Sequence, residues 1–259
     1  MTFTDVYITP HGDELITLPN KQSKILATHL ATLSKADNAE ILAIISPHGL
    51  RLGRNISVLL TDYFWGYLKL GNKIIRRKYR NEKDLSLKII RNNKLAEEAS
   101  FITSSGPKSV FPLDFGSLIP LYFFNKKKLV VMGQPRIWNL DDLETFGRNL
   151  FHDVDSYNKK VSVLFSADQA HTHSQSGPYG YSGDSKRYED IMERCIRSNN
   201  FQTLRNVSKE IVYGAKPDSF WNMIILKGFL EEGNIRMHYD YHYVENYFGM
   251  LLAHGSIHK

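Results

Sequence analysis

A single cysteine, Cys195, stands in a chain of 259 residues. One thiol excludes an internal disulfide framework and a cysteine-based zinc site. No apolar run approaches the roughly 20 residues that a membrane helix needs. The opening Met1-Thr2-Phe3-Thr4-Asp5 has neither the basic start nor the apolar stretch of a signal peptide. The expected location is therefore the cytoplasm, with no membrane partner. There is no His-Glu-x-x-His metalloprotease helix, no Gly-x-Ser-x-Gly nucleophile elbow and no glycine-rich phosphate loop. Proline- or serine-rich linkers and low-complexity tracts are also missing, so one domain over 1–259 is the simplest organisation.

What remains is an ordinary globular composition, 42% hydrophobic and 23% charged, with a net charge of +6. The positive charge is clumped in Arg76-Arg77-Lys78 with Arg80, and in Lys126-Lys127-Lys128. Both clumps read as solvated turns or rims. No helix-turn-helix, zinc-finger or RNP pattern accompanies them, so no nucleic-acid partner is expected. Steering of an anionic small substrate is the milder reading of the charge.

Strand and helix signals alternate. Strands are expected at about 5–9, 40–46, 56–60, 63–70, 129–132 and 161–165. Helices are expected at about 20–34, 83–100, 112–124, 141–158 (with Asp141 as N-cap), 185–199 and 219–231. The segment from Ile235 to Ala253 reads as extended. This alternation predicts an α/β fold: a central mixed, largely parallel sheet flanked by helices on both faces.

Two strands end alike. Val6-Tyr7-Ile8 runs into Thr9-Pro10-His11-Gly12, and Ile41-Leu42-Ala43-Ile44-Ile45 runs into Ser46-Pro47-His48-Gly49. Pro-His-Gly after a β-branched run places a histidine at the C-terminal tip of a buried strand. Ligands of open α/β sheets bind in the crevice at those ends. Two imidazoles delivered there can share one metal ion, although turn histidines bonding nearby carbonyls would look the same. A third strand leads into Ser166-Ala167-Asp168-Gln169-Ala170-His171-Thr172-His173, which puts His171 and His173 on the same rim. His29, His152 and His258 lack such a context and read as surface or half-buried residues. Near the end, Glu245 is an acid among aromatic and apolar neighbours. A buried carboxylate needs a partner, either a metal or a base such as Arg236. Two histidines and one carboxylate form the facial triad of non-haem iron, and zinc accepts the same donors.

These pieces resemble the class III extradiol ring-cleaving dioxygenases, the superfamily of protocatechuate 4,5-dioxygenase and of DOPA 4,5-dioxygenase-type proteins. The resemblance rests on five segments in order: Pro10-His11-Gly12, Ser46-Pro47-His48-Gly49, Asp114 to Leu121, Ser166 to His171, and Glu245 before Tyr247-Phe248-Gly249-Met250-Leu251. It implies a metal site at the C-terminal strand ends, with His11, His48 and Glu245 as ligands to Fe(II), or to Zn or Mn in its place. It also implies His171 as the acid–base histidine, with His173 as the neighbouring alternative. Asp13 and Asp168 are candidates for orienting a histidine, and Tyr179 and Tyr243 for lining the ring pocket. Phe115 stands where many members carry a second active-site histidine.

The implied function is an Fe(II)-dependent extradiol dioxygenase of aromatic catabolism. It would act on a small catechol or aminophenol with O2, and the resemblance implies a homodimer. A zinc-dependent hydrolase on the same ligands and a Memo-like, non-enzymatic binding protein are the alternatives.

Overall fold

The computed structural model describes residues 2–100, 110–126 and 128–256; Lys127 and His258 lie outside the described residues. The chain begins with β1 (Phe3–Thr9), the short α1 (Glu14–Thr17), α2 (Lys21–Ala36) and β2 (Ile41–Ser46). Then come β3 (Ile56–Leu59), β4 (Tyr63–Leu70), β5 (Lys73–Asn81), α3 (Lys83–Asn92), β6 (Ala96–Ala99) and β7 (Val110–Pro112). The second half holds α4 (Phe115–Phe123), β8 (Lys128–Gly133), α5 (Leu140–Asp155), β9 (Val161–Ser166), α6 (Asp184–Ser198), α7 (Lys209–Ala215) and α8 (Phe220–Gly233). The final hairpin is β10 (Arg236–Glu245) with β11 (Phe248–Ser256).

The strands join in one mixed sheet whose main path runs β10-β11-β1-β9-β2-β8-β5-β4-β7, with β3 and β6 attached beside β8. Its centre is parallel: β9 pairs with both β1 and β2, and β2 pairs with β8. These strands are apolar at nearly every position because both faces are covered. Val6, Ile8, Ala43, Ile45, Val163 and Phe165 face the layer containing α3, α5, α6 and α8. Tyr7, Leu42, Ile44 and Leu164 face α2 and α4 instead. The expected α/β architecture is present.

Local expectations fare unevenly. The helix expected over 83–100 stops at Asn92, and Ala96–Ala99 pairs with β3 as a parallel strand. Asn93 ends the helix, its amide donating to Ile89 O at 2.8 Å and to Asp153 Oδ2 at 3.0 Å. Asp141 is not an N-cap; it lies in the first turn of α5 and accepts from Arg205 at 2.7 Å. Arg76-Arg77-Lys78 lies within β5, where a solvated turn or rim was expected. Helix α4 starts at Phe115, with the Asp114 side chain accepting from the Ser117 N–H at 2.9 Å.

Helices α5 and α8 cross through glycine. A Cβ on Gly228 would lie 2.0 Å from Glu144 O, and one on Gly147 would lie 2.0 Å from Ile225 O. In an open helix Gly228→Ala would gain about 1 kcal/mol from helix propensity. Here the helices must separate, and we expect a loss of roughly 1–3 kcal/mol. Urea unfolding reads the sign, and a stabilised variant would contradict this packing.

Candidate metal centre

Strands β1, β9 and β2 lie side by side and end level, so their C-terminal loops meet. The loop after β1 carries His11, the loop after β2 carries His48, and the loop after β9 carries Asp168 and His171. A fourth segment, just before α8, adds Asp218. Asn222 fixes this segment by donating to Ser166 O at 2.9 Å and Ile45 O at 3.2 Å, across the ends of β9 and β2. Gln134, following β8, donates its amide to the Asp218 carbonyl.

Three donor atoms converge. His11 Nε2 and His48 Nε2 each stand 3.0 Å from Asp218 Oδ2, and 3.1 Å from each other. His11 is 1% exposed and Asp218 is buried. The His48 side chain is 30% exposed and lies on the open side of the cluster. The His11 tautomer follows from its other nitrogen. Ser166 Oγ donates to Gly116 O at 2.5 Å and therefore accepts from His11 Nδ1–H at 2.8 Å. The neutral ring then keeps a lone pair on Nε2, as a metal ligand requires. On the other side, Phe115 tilts against the His48 ring with centroids 4.2 Å apart. Gly116 permits this closeness: a Cβ there would lie 2.8 Å from Ser46 Oγ and 3.0 Å from His48 Cδ2.

The spacing fits a divalent cation. Nitrogen and oxygen donors bind such ions at about 2.0–2.2 Å, so donors at right angles stand about 3 Å apart and donors at a tetrahedral angle about 3.4 Å apart. Separations of 3.0, 3.0 and 3.1 Å leave these donors close enough together to share one ion. Asp218 Oδ1 is buried with no hydrogen-bond partner among the described residues. Electrostatics agrees. Burial opposes charge on His11, yet the Asp168 and Asp218 carboxylates outweigh it and raise its pKa to about 9. Burial likewise opposes charge on Asp218, but His11 and the hydrogen bonds from both imidazoles hold its carboxyl well below the usual range. Asp168 is pushed upward, by burial first and then by Asp218. The two acids demand positive charge, as a proton or as a metal.

His171 stands beside this cluster. One of its ring nitrogens lies within 4.8 Å of carboxylate oxygens of Asp168 and Asp218. Its Nδ1 is buried with no hydrogen-bond partner among the described residues. The ring stacks on Phe248 at 5.8 Å, with Tyr179 edge-on at 6.0 Å. His173 points elsewhere, to Glu189 Oε1 at 3.3 Å.

Several expected roles need correction. Glu245 does not join His11 and His48; it accepts from Asn20 Nδ2 at 2.6 Å and from the Tyr243 hydroxyl at 3.1 Å. The end of β10 carries it toward α2, and its charge, behind burial and Asp13, helps push Glu14 up to about 7. Arg236, its alternative partner, stands at the other end of β10. Tyr243 is buried beneath Glu245, with its hydroxyl shifted upward by burial and then by Glu245. Asp13 is exposed at the head of α1 and hydrogen-bonds Glu14. Asp168 accepts from the His11 backbone N–H at 2.9 Å, and orientation of the ring through Nδ1 falls to Ser166. Tyr179 is exposed beside His171. The residue missed is Asp218. In Lys216-Pro217-Asp218-Ser219, before an apolar helix, an acid looks like a helix-start residue, and that appearance masks a candidate ligand.

A family model described as the catalytic LigB subunit of aromatic ring-opening dioxygenase matches residues 7–252. The Clostridium acetobutylicum protein CA_C1420 is 25% identical over 253 residues, covering 89% of this chain and 53% of that protein. The chain thus spans about half the length of this relative. The crystal structure of the uncharacterized protein JW3007 from Escherichia coli K12 shares the fold, with a TM-score of 0.65 at 10% identity. That likeness covers 97% of this chain and 99% of the other. Among the described residues no helix is long and apolar enough to cross a membrane.

Two outcomes follow. Metal content by mass spectrometry should fall at least about tenfold in His11→Ala, His48→Ala and Asp218→Ala, and stay at the wild-type level in Glu245→Ala. The second concerns pH. His11 binds its proton more tightly folded, at about 9, than at its ordinary 6.5. Its contribution to the stability of the metal-stripped protein is complete below 6.5 and is lost as pH rises through about 9. Melting temperatures after chelation should fall across that window, and His11→Ala should remove the slope.

Proposed function

The chain belongs to the LigB family of catalytic subunits of aromatic ring-opening dioxygenases, and from that membership we propose that it is a non-haem Fe(II) extradiol dioxygenase. Its substrate is a small catechol or aminophenol-type aromatic, opened with O2. The supporting observation is the convergence of two imidazole nitrogens and one carboxylate oxygen within 3.1 Å of one another, which is the donor set of the two-histidine, one-carboxylate iron arrangement. His11, His48 and Asp218 hold the metal. When bound, iron supplies a Lewis-acid centre that lowers the pKa of a coordinated hydroxyl and a redox partner for O2.

The chain's own residues do the rest. Ser166 locks the His11 ring, and Gln134 holds the backbone of Asp218. His171 has one ring nitrogen within 4.8 Å of the Asp168 and Asp218 carboxylate oxygens, so it can take a proton from the substrate hydroxyl and return it later in the reaction. Phe248 and Tyr179 fix the plane of that imidazole. Phe115 presents an apolar ring where a second histidine would add another proton carrier, which leaves His171 as the acid–base group. Two cations lie near these residues. Lys216 lies 5.5 Å over the Tyr179 ring, and Arg136, over Trp221 at 5.3 Å, feels the field of Asp218. This favours an aromatic substrate bearing negative charge.

Protein loaded anaerobically with Fe(II) should consume O2 when given a catechol and form a coloured ring-opened product. His171→Gln should retain iron and lose about 10²–10⁴-fold in turnover. Zinc-supported ester or amide hydrolysis without O2 uptake would instead establish a hydrolase. A fully loaded protein inert in both assays would leave a binding role.

A further inference from the structure

Strands β4 and β5 form a ribbon whose register sets Tyr63 opposite Arg80, Trp65 opposite Lys78, Tyr67 opposite Arg76, and Lys69 opposite Ile74. Strand alternation puts these eight side chains on one face. The opposite face is packed: Phe64, Ile75 and Tyr79 are buried, and a Cβ on Gly66 would come within 2.4 Å of Leu118 in α4. The outer face is open, with Trp65 41%, Tyr67 51% and Ile74 51% exposed, and with Lys69, Arg76, Lys78 and Arg80 exposed as well. Three rings thus run along one strand at a pitch of about 6.8 Å, with three cations beside them on the next strand. None of the eight is acidic. Lys78 Nζ lies 4.4 Å from the Tyr63 ring centre, and the Arg76 guanidinium lies 5.7 Å from that of Tyr67.

We propose that this ribbon face binds a single-stranded nucleic acid, with bases stacked on Trp65 and Tyr67 and phosphates tracked by Arg76, Lys78 and Arg80. The partner must be an anion that also offers flat apolar faces at regular intervals, and an extended single strand meets both conditions. A second copy of the chain would set like charges against like charges. A lipid surface would have to be entered by the hairpin tip, which is the polar Gly71-Asn72. This partner departs from the expectation of no nucleic-acid partner, which rested on reading the basic clump as a solvated turn or rim; the reason for the change is the cross-strand register that sets the cations beside the rings. The proposal is independent of the reaction at the metal centre.

Fluorescence anisotropy of the full chain with a labelled twelve-nucleotide oligouridylate tests it. Binding is expected, with a slope of log K against log salt of about −2 to −3 for three or four phosphates. Trp65→Ala with Tyr67→Ala should weaken binding at least about tenfold and leave that slope unchanged. Arg76→Ala with Lys78→Ala should flatten the slope by about 1.4, and Tyr67→Phe should bind like wild type. Melting curves identify any variant that fails to fold, and Tyr67→Phe together with the salt slope then carries the test. The proposal is overturned if no binding is seen in low salt, or if ring removal leaves affinity unchanged. It is equally overturned if the same substitutions abolish binding to phosphatidylserine vesicles or self-association while the oligonucleotide does not bind.

Discussion

The position of β9 between β1 and β2 is the constraint on which the centre depends. Phe165 is the register partner of both Ile8 and Ile45, so one row across three strands sets the level at which all three end. Past that row the chain supplies Pro10-His11, Pro47-His48 and Ser166 to His171, each leaving the sheet at the same height. Asn222 reads the same level from the helix side by donating to carbonyls on β9 and β2. This fixes the start of α8 and Asp218, which lies four residues before Asn222. A shift of one residue in any of these parallel pairings would turn every buried side chain of that strand to the wrong face. The apolar core therefore enforces the placement of the donors.

Burial and charge oppose each other at this point. Asp168 and Asp218 are both buried, and a lone carboxylate in such surroundings is costly. Hydrogen bonds offset part of this cost: the His11 N–H to Asp168, and the imidazole nitrogens to Asp218. The remainder calls for a cation, which explains both the upward shift of His11 and the suitability of the site for a divalent ion. Glu245 lacks this setting. It is half-buried, has an amide and a hydroxyl as donors, and shares its surroundings with Glu14, so its charge is accommodated without a metal.

The parts legible in the sequence are those encoded locally. β-branched runs closed by Pro-His-Gly were enough to place His11 and His48 at strand ends. The lead-in Ser166-Ala167-Asp168 was enough to place His171 beside them. The linear pattern could not separate His171 from His173; the separation comes from Glu189, a distant residue on α6 that engages His173. Asp218 was illegible for a related reason. Its signal is that of a helix start, and only the fold brings that helix end over the tips of β2 and β9. The same limit hid β5, because a run of arginine and lysine carries none of the β-branched and aromatic enrichment that marks a strand and acquires its structure by pairing with the aromatic β4.

Helix α4 joins these two non-local features. At its start, Gly116 O accepts from the Ser166 hydroxyl that orients His11, and Phe115 lies against His48. One turn on, Leu118 fills the space left by Gly66 in β4, and Leu121 O accepts from the Tyr79 hydroxyl of β5 at 3.3 Å. Arg77 extends the contact, 5.7 Å over the Tyr122 ring. The ribbon is thus a packed layer of the domain, braced by the helix that seats the metal-site histidines. With much of its inner face committed to the core, the ribbon presents its aromatic and cationic rows together, in fixed register, and an extended partner meets a backbone that is already ordered, with only the side chains left to immobilise.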